Sequence, residues 1–529
     1  MLQRKPLLKN VVVSLSLANL CFLKVWSELL VPRYDSYRIA AIEYVAAVIC
    51  VIILALVFWT LALLAKKIRH PAGLVFGRLV FLGILALVVW SSHHVIWPDR
   101  FMLNIFMQAG KGWLVVFVLL LTSLCIYAFI RYQQFVMRTA TGLVCIFLPF
   151  VIITFGQSGW RYANFNSATV STAVTSSQIH IPASNKIQKN KKRILILLFD
   201  EMDQHLAFSE RPETVKLPEL DRFRKEAISA DNAFPPADHT MQSIPAVFIG
   251  KLVAASELDT SGKMMIKTHG SKERVNITNL DTIFSTAREL GFQSAVLGDI
   301  LPYNEILKKH VNYILPTIQD KSKRYTNIIK AIREQFQTTL CYMIPYAVRL
   351  NLPERLKTVE DRKLDIDFYL SNLNHAKELA ENSQIDLIFM HSALPHTPFI
   401  YDRFKDEFST NGKSTYLDNL ELADRTFGEL RSTMEKEGTW DSTVVLVTSD
   451  HWWRNSIVYI GKSDHRVPFI LKLPGQKKQV VFDHPFNTIL IHDLVIALLK
   501  GELSKPDDVT EWLDKHKTFG ESPLTRSFP

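Results

Sequence analysis

Residues Asp441–Asp450 read DSTVVLVTSD, and His451 follows at once. The apolar, β-branched centre of this run predicts a strand buried on both faces. Its end delivers a carboxylate and an imidazole together. Such a pair is costly to bury unless a cation or another partner compensates. Two other segments have the same form: Arg193–Asp200 (RILILLFD) runs into Glu201, and Ile385–Met390 (IDLIFM) runs into His391. Apolar strands tipped by metal-type ligands imply a metal site at the carboxyl edge of a parallel sheet.

Outward from these strands, helical and strand patterns alternate from residue 193 onward. Leu217–Ala230, Asp281–Leu290 and Tyr416–Glu435 carry apolar residues at helical spacing. The predicted fold class is therefore α/β, a helix-flanked and mainly parallel central sheet.

The first 160 of the 529 residues have a different composition. Apolar runs near 11–31, 40–65, 73–93, 112–131 and 140–156 each approach the ~20 residues that a bilayer core requires, which predicts five membrane helices. Basic residues before the first run (Arg4, Lys5, Lys9), after the second (Lys66, Lys67, Arg69) and between the last two (Arg131, Arg138) make those segments cytoplasmic. Five crossings from a cytoplasmic start put the remainder outside. The expected organisation is a transmembrane domain at 1–160, a polar linker at 161–192 and an extracytoplasmic domain at 193–529. Cys21, Cys50, Cys125 and Cys145 fall in the predicted spans and Cys341 stands alone beyond them, so the outer domain has no internal disulfide. The net charge of +10 suits an anionic membrane surface. Its basic residues are dispersed and form no nucleic-acid-binding motif, which excludes that partner class. The run Lys186–Arg193 reads as a solvated entry to the first strand.

Three further segments carry chemistry. Asp200 and Glu201 are adjacent acids at a strand end, pointing different ways; a helix cap is the competing reading. In Pro235–Gly250 (PPADHTMQSIPAVFIG) Thr240 follows a Pro-rich turn and precedes a predicted helix, Ser243–Ile249; at that helix N-terminus it is either a cap or a hydroxyl that becomes nucleophilic if a metal ion lowers its pKa. His391–Tyr401 (HSALPHTPFIY) places imidazoles at 391 and 396 in a proline-bounded loop, and His465 precedes another apolar run. Histidines at strand ends suit phosphate or leaving-group contacts.

The order of these segments resembles the alkaline phosphatase superfamily, in its sulfatase-like branch, over roughly 193–500. Thr240, Ser243 and Gly250 hold positions matching that branch's nucleophile segment. Formylglycine cannot be made from threonine, which disfavours sulfate ester hydrolysis. Thr240-Met-Gln-Ser243-Ile-Pro245 resembles the nucleophile segment of bacterial phosphoethanolamine transferases, and His391, His396, Pro398 and Tyr401 resemble their histidine motif. Those enzymes, like lipoteichoic acid synthases and other phosphoglycerol transferases, have five membrane helices before a periplasmic catalytic domain. The resemblance implies Zn²⁺ ligands Asp200, Thr240, Asp450 and His451, with Ca²⁺ or Mn²⁺ as alternatives. It implies Thr240 as nucleophile, His396 and His465 as proton-handling groups near the phosphate, and substrate contacts from Glu201, Ser243, His391 and Tyr401. The implied reaction moves a head group from a membrane phospholipid donor to a lipid or glycan acceptor in the envelope; the alternatives are a membrane-anchored phosphodiesterase, phosphatase or sulfatase-like hydrolase passing the group to water. Lys24 and Glu28, four residues apart near the outer end of span one, form either a salt bridge or, with Glu43, His93 and His94, a substrate-facing cluster.

Overall fold

The structure is a computed structural model that describes residues 4–30, 40–67, 71–96, 111–164, 192–259, 263–298, 300–316, 327–343, 357–461 and 464–517. It divides into two compact units. Of the described residues, 4–30, 40–67, 71–96, 111–164 and 327–343 form the first, and 192–259, 263–298, 300–316, 357–461 and 464–517 form the second.

In the first unit, three helical stretches among the described residues are long and apolar enough to cross a membrane: Ala41–Ala65, Gly73–Ser92 and Arg131–Ala163. The pair Leu8–Cys21 and Leu23–Leu30, bent by 63°, makes a fourth if it counts as one broken span. Five separate spans were expected. The segment 112–131 lies within the Lys111–Ile146 helix, but most of its side chains lie outside the described residues. Lys24 Nζ pairs with Glu28 at 3.3 Å and sits 4.6 Å from the Tyr342 ring centroid. Glu43 Oε1 accepts the Ala40 N–H at 2.8 Å, so its carboxylate caps its own helix. The side chains of His93 and His94 lie outside the described residues.

The Ile328–Met343 helix, placed by its sequence in the outer domain, belongs instead to this first unit. Phe336 packs on Phe22 with ring centroids 5.5 Å apart, and Ile332 joins the same apolar cluster. A strongly amphipathic helix buries its apolar stripe wherever a matching surface exists, and here the N-terminal helices supply it.

The second unit is built on a nine-stranded sheet. Its strands are β1 (Arg193–Asp200), β2 (Ile228–Phe234), β6 (Ser294–Gly298), β7 (Tyr313–Pro316), β8 (Leu387–Pro395), β11 (Thr443–Ser449), β12 (Val467–Lys472), β13 (Val480–Phe482) and β14 (Phe486–Asn487). Three shorter strands, β3 (Val253–Leu258), β4 (Met264–Thr268) and β5 (Val275–Asn276), form a side sheet, and β9 (Tyr401–Asp402) pairs with β10 (Glu407–Phe408). The main order is β13-β2-β12-β11-β1-β8-β6-β7, with β14 beside β2. β11, β1, β8, β6 and β7 run parallel, whereas β12 is antiparallel to both of its neighbours.

Burial of both faces explains the unbroken apolar runs. Along β1, Ile194, Ile196 and Leu198 enter one core, and Leu195, Leu197 and Phe199 enter the other. The first core is covered by the Thr240–Ile249 and Ile491–Lys500 helices, the second by Tyr416–Lys436 and Val359–Glu381. Arg193, expected to be solvated, is buried: its Nη2 donates to the Leu379 and Ala380 carbonyls at 3.0 and 2.7 Å. A guanidinium there satisfies the carbonyls at the end of the Val359–Glu381 helix that have no partner within the helix.

Candidate active site

The three central strands β11, β1 and β8 are neighbours, so their carboxyl ends converge. Asp200 closes β1, and Asp450 with His451 follows β11. One ligand atom from each of Asp200, Asp450 and His451 lies within 4.8 Å of the others, and all three residues are buried. His451 Nε2 is 3.8 Å from Asp200 Oδ1 and 3.4 Å from Asp450 Oδ2.

Thr240 joins this cluster from a helix rather than from a strand. It is the first residue of the Thr240–Ile249 helix, and its Oγ1 donates to Asp450 Oδ2 at 2.7 Å while lying 3.3 Å from His451 Nε2. The hydroxyl is spent on the metal-type residues, and no side-chain hydrogen bond caps this helix. The Thr240 side chain therefore does not act as a cap here.

The backbone around Asp450 is pinned. Its Oδ1 accepts the N–H groups of Glu201 and His451 at 3.2 and 2.8 Å, and its carbonyl accepts Ser243 Oγ at 2.5 Å. Ser243, expected at the substrate, is thus a fully buried support for the strand end. Glu201 has a φ of +62°, in the left-handed region that a non-glycine residue enters only at a cost. The Asp450 carboxylate holds its N–H, and the Tyr416 hydroxyl donates to its carbonyl at 2.8 Å.

Arg454, which the sequence reading passed over, donates from Nε to Glu201 Oε1 at 2.9 Å. Its one available signal was a cation three residues beyond His451 in the same loop. The half-exposed His396 lies with Nε2 3.9 Å from Glu201 Oε2. His391 is buried; its Nδ1 meets the Tyr303 hydroxyl at 2.6 Å, and its Nε2 has no hydrogen-bond partner among the described residues. The sequence held no signal for Tyr303. Its approach requires Gly298, where a Cβ would stand 2.4 Å from the Tyr303 ring. His465 stacks on Trp452 at 4.1 Å, and Trp452 in turn meets the His451 ring edge-on at 6.5 Å. Tyr401, expected at the substrate, is buried with its hydroxyl bonded to Asp406, and it does not line the cavity described below.

Electrostatics distinguish the acids. Burial, then the neighbouring Asp450 and Glu201 carboxylates, hold the Asp200 carboxyl well above the usual carboxylate range. Burial works to raise Glu201 too, but His396, Arg454 and His451 outweigh it and keep that group low. Burial, reinforced by Arg454, pushes His451 down to about 3, and burial pushes His391 down to about 4. The donor set suits a divalent cation. Asp200 Oδ1 is buried without a hydrogen-bond partner, and the crowding of Asp200, Asp450 and Glu201 is the kind of charge excess that a cation relieves. A cavity of about 300 Å³ borders the cluster, lined there by Asp200, Thr240, His391, His396 and Arg454.

A hydroxyl held against a buried Asp-Asp-His cluster at the carboxyl edge of a mainly parallel sheet places the chain in the alkaline phosphatase and sulfatase superfamily of α/β enzymes. The family model described as Sulfatase matches residues 192–500, more than half of the chain. The protein belongs to the sulfatase family. Solved structures similar to it include PsFucS1 sulfatase from Pseudoalteromonas sp., at 14% identity and TM-score 0.40, covering 60% of this chain and 69% of that one. Others are a phosphonate monoester hydrolase from Silicibacter pomeroyi (14% identity, TM-score 0.36, 59% and 73% covered) and an alkaline phosphatase superfamily protein from Vibrio parahaemolyticus (16%, 0.36, 60% and 68%). None of the curated protein sequences matches this chain significantly.

Proposed function

We propose that this protein is a membrane-anchored phosphotransferase. It moves a phospholipid head group, phosphoethanolamine or phosphoglycerol, onto Thr240 and then to a lipid or glycan acceptor of the envelope. The observation that carries the reading is the Thr240 hydroxyl, 2.7 Å from Asp450 Oδ2 within the buried cluster. In this reading the chain crosses the inner membrane several times, and residues from 193 onward act outside the cytoplasm, beside the lipid donor.

Asp200, Asp450, His451 and Thr240 would hold a metal ion, of which Zn²⁺ fits the mixed oxygen and nitrogen donors best. When bound, such an ion supplies Lewis acidity and lowers the pKa of a coordinated hydroxyl. The chain's own groups do the rest. Thr240 Oγ attacks phosphorus, its proton passing to Asp450 Oδ2, while the bond from phosphorus to the diacylglycerol oxygen breaks. His396, half-exposed at the mouth and held beside Glu201, protonates the departing oxygen. In the second half-reaction the same imidazole takes the proton of the acceptor hydroxyl. That oxygen then bonds to phosphorus, and Thr240 Oγ leaves with its proton restored. Arg454 holds the Glu201 carboxylate at 2.9 Å, which orients it toward His396.

The test incubates purified protein with head-group-labelled phospholipid and weighs the peptide containing Thr240. A mass increment on Thr240 that names the transferred group, absent in Thr240→Ala, is the expected result. An active Thr240→Ala variant overturns the assignment. Free phosphoester as the sole product, with Thr240 still modified, makes water the acceptor and the protein a hydrolase.

A further inference from the structure

The cavity does not end at the metal-type cluster. Leu197, Met390 and Leu297 also line it, and they are register neighbours across β1, β8 and β6. They form a flat apolar floor three strands wide. Leu373 and Ala376 from the Val359–Glu381 helix and Leu430 from the Tyr416–Lys436 helix line the same space. Polar groups on the wall already have partners: the Asp365 carboxylate pairs with Lys357 at 3.0 Å, and Tyr369 bonds Thr426 at 2.8 Å. Interiors are close-packed, and a gap of this size over apolar side chains forfeits dispersion contacts. A fold that leaves one open, continuous with a nucleophile, is shaped for an occupant.

We infer that this cavity receives a single hydrocarbon chain of the ester substrate while the phosphoryl group lies against Thr240. The inference rests on the phosphoryl-transfer reading above and adds the substrate's shape to it. A cavity of ~150 Å³ holds a benzene molecule, so about 300 Å³ admits one chain of roughly ten carbons and not two side by side. A two-chain lipid would seat one chain end here and keep the other outside. His391, whose buried Nε2 has no hydrogen-bond partner among the described residues, lines the cavity beside its strand neighbour Met390. Tyr303 bonded at Nδ1 holds that ring in place.

Binding decides the matter without turnover. Full-length, zinc-loaded protein in lipid nanodiscs is titrated with n-alkylphosphonates from methyl to octyl, with empty nanodiscs correcting for partitioning. Affinity should rise with chain length toward a limit of about fourfold per methylene, the equivalent of about 0.8 kcal/mol per buried CH₂. Ala376→Phe, which fills the space, should lower the octyl-to-methyl affinity ratio at least tenfold. Leu430→Ala, which enlarges it, should move the gain to longer chains, and it decides the question if Ala376→Phe does not fold. A flat series in the wild type, or a chain-length dependence that neither variant alters, overturns the inference. Methylphosphonate binding with no chain-length effect leaves the phosphoryl reading standing and removes the pocket. Chain-length-dependent binding of n-alkanols without any contribution from the phosphonate does the reverse.

Discussion

Replacing Asp200 by Asn keeps the side chain's size and removes its charge, and its consequence depends on whether a metal ion is bound. In metal-free protein the Asp200 carboxyl is buried beside Asp450 and Glu201, which holds its pKa well above the ordinary value. Such a group keeps in the fold a proton that the unfolded chain releases. Its stabilising contribution is therefore complete below the ordinary carboxylate pKa and is lost as pH climbs toward the folded value, at about 1.4 kcal/mol per pH unit. An amide does not titrate and has no such dependence. Metal-free Asp200→Asn should accordingly be the more stable protein at pH 7, and the difference should vanish near pH 4. Asp203 and Asp424, raised to about 7 mainly by burial, follow the same trend in both proteins and cancel. With metal the gap narrows, because the wild type gains more from the ion than the variant does. At a hundredfold excess over Kd a bound ion adds about 2.7 kcal/mol, and a hundredfold loss of affinity leaves about 0.4 kcal/mol. At about 2–4 °C per kcal/mol, a wild-type increment of about 5–10 °C falls to about 1 °C. Trp452 and Trp453 are buried beside the site and report unfolding by fluorescence. An equal metal increment in both proteins, or a metal-free variant no more stable than wild type at pH 7, would refute the assignment of Asp200 as a ligand.

Ser243→Ala removes the donor to the Asp450 carbonyl and leaves that group buried, so denaturant titration should show a loss of about 1–3 kcal/mol together with reduced activity. Gly250 has φ +65°, and a Cβ there would meet His492 Nδ1 at 2.7 Å; Gly250→Ala should cost at least about 1 kcal/mol in the same assay. His391 and His451 stay neutral in the fold, with pKa values pushed down to about 4 and about 3. The stability they confer is complete above the ordinary imidazole value of about 6.5 and is lost as pH falls through that window, at up to about 1.4 kcal/mol per unit each. His391→Gln should therefore flatten the acid limb of a denaturation series between about pH 6.5 and about pH 4, and an unchanged slope would show that His391 is charged in the fold.

The chain's local patterns announced much of this protein. Long apolar runs marked helices long and apolar enough to cross a membrane, and strands buried on both faces wrote themselves as unbroken apolar segments ending at Asp200, His391 and Asp450-His451. Each is a short-range signal, since a strand's burial and the identity of its last residue are both read within about ten positions. What needed three dimensions were groups set by long-range packing. Arg454 meets Glu201 from 253 positions away, and Tyr303 reaches His391 across 88. Ser243 spends its hydroxyl on the backbone of Asp450, and the Ile328–Met343 helix joins the N-terminal helices rather than the sheet domain. A side chain's type limits which partners it can take, but which atom it meets depends on how separate elements are laid together. The apolar floor beside Thr240 is a further case, because Leu197, Met390 and Leu297 become neighbours only once β1, β8 and β6 are in register.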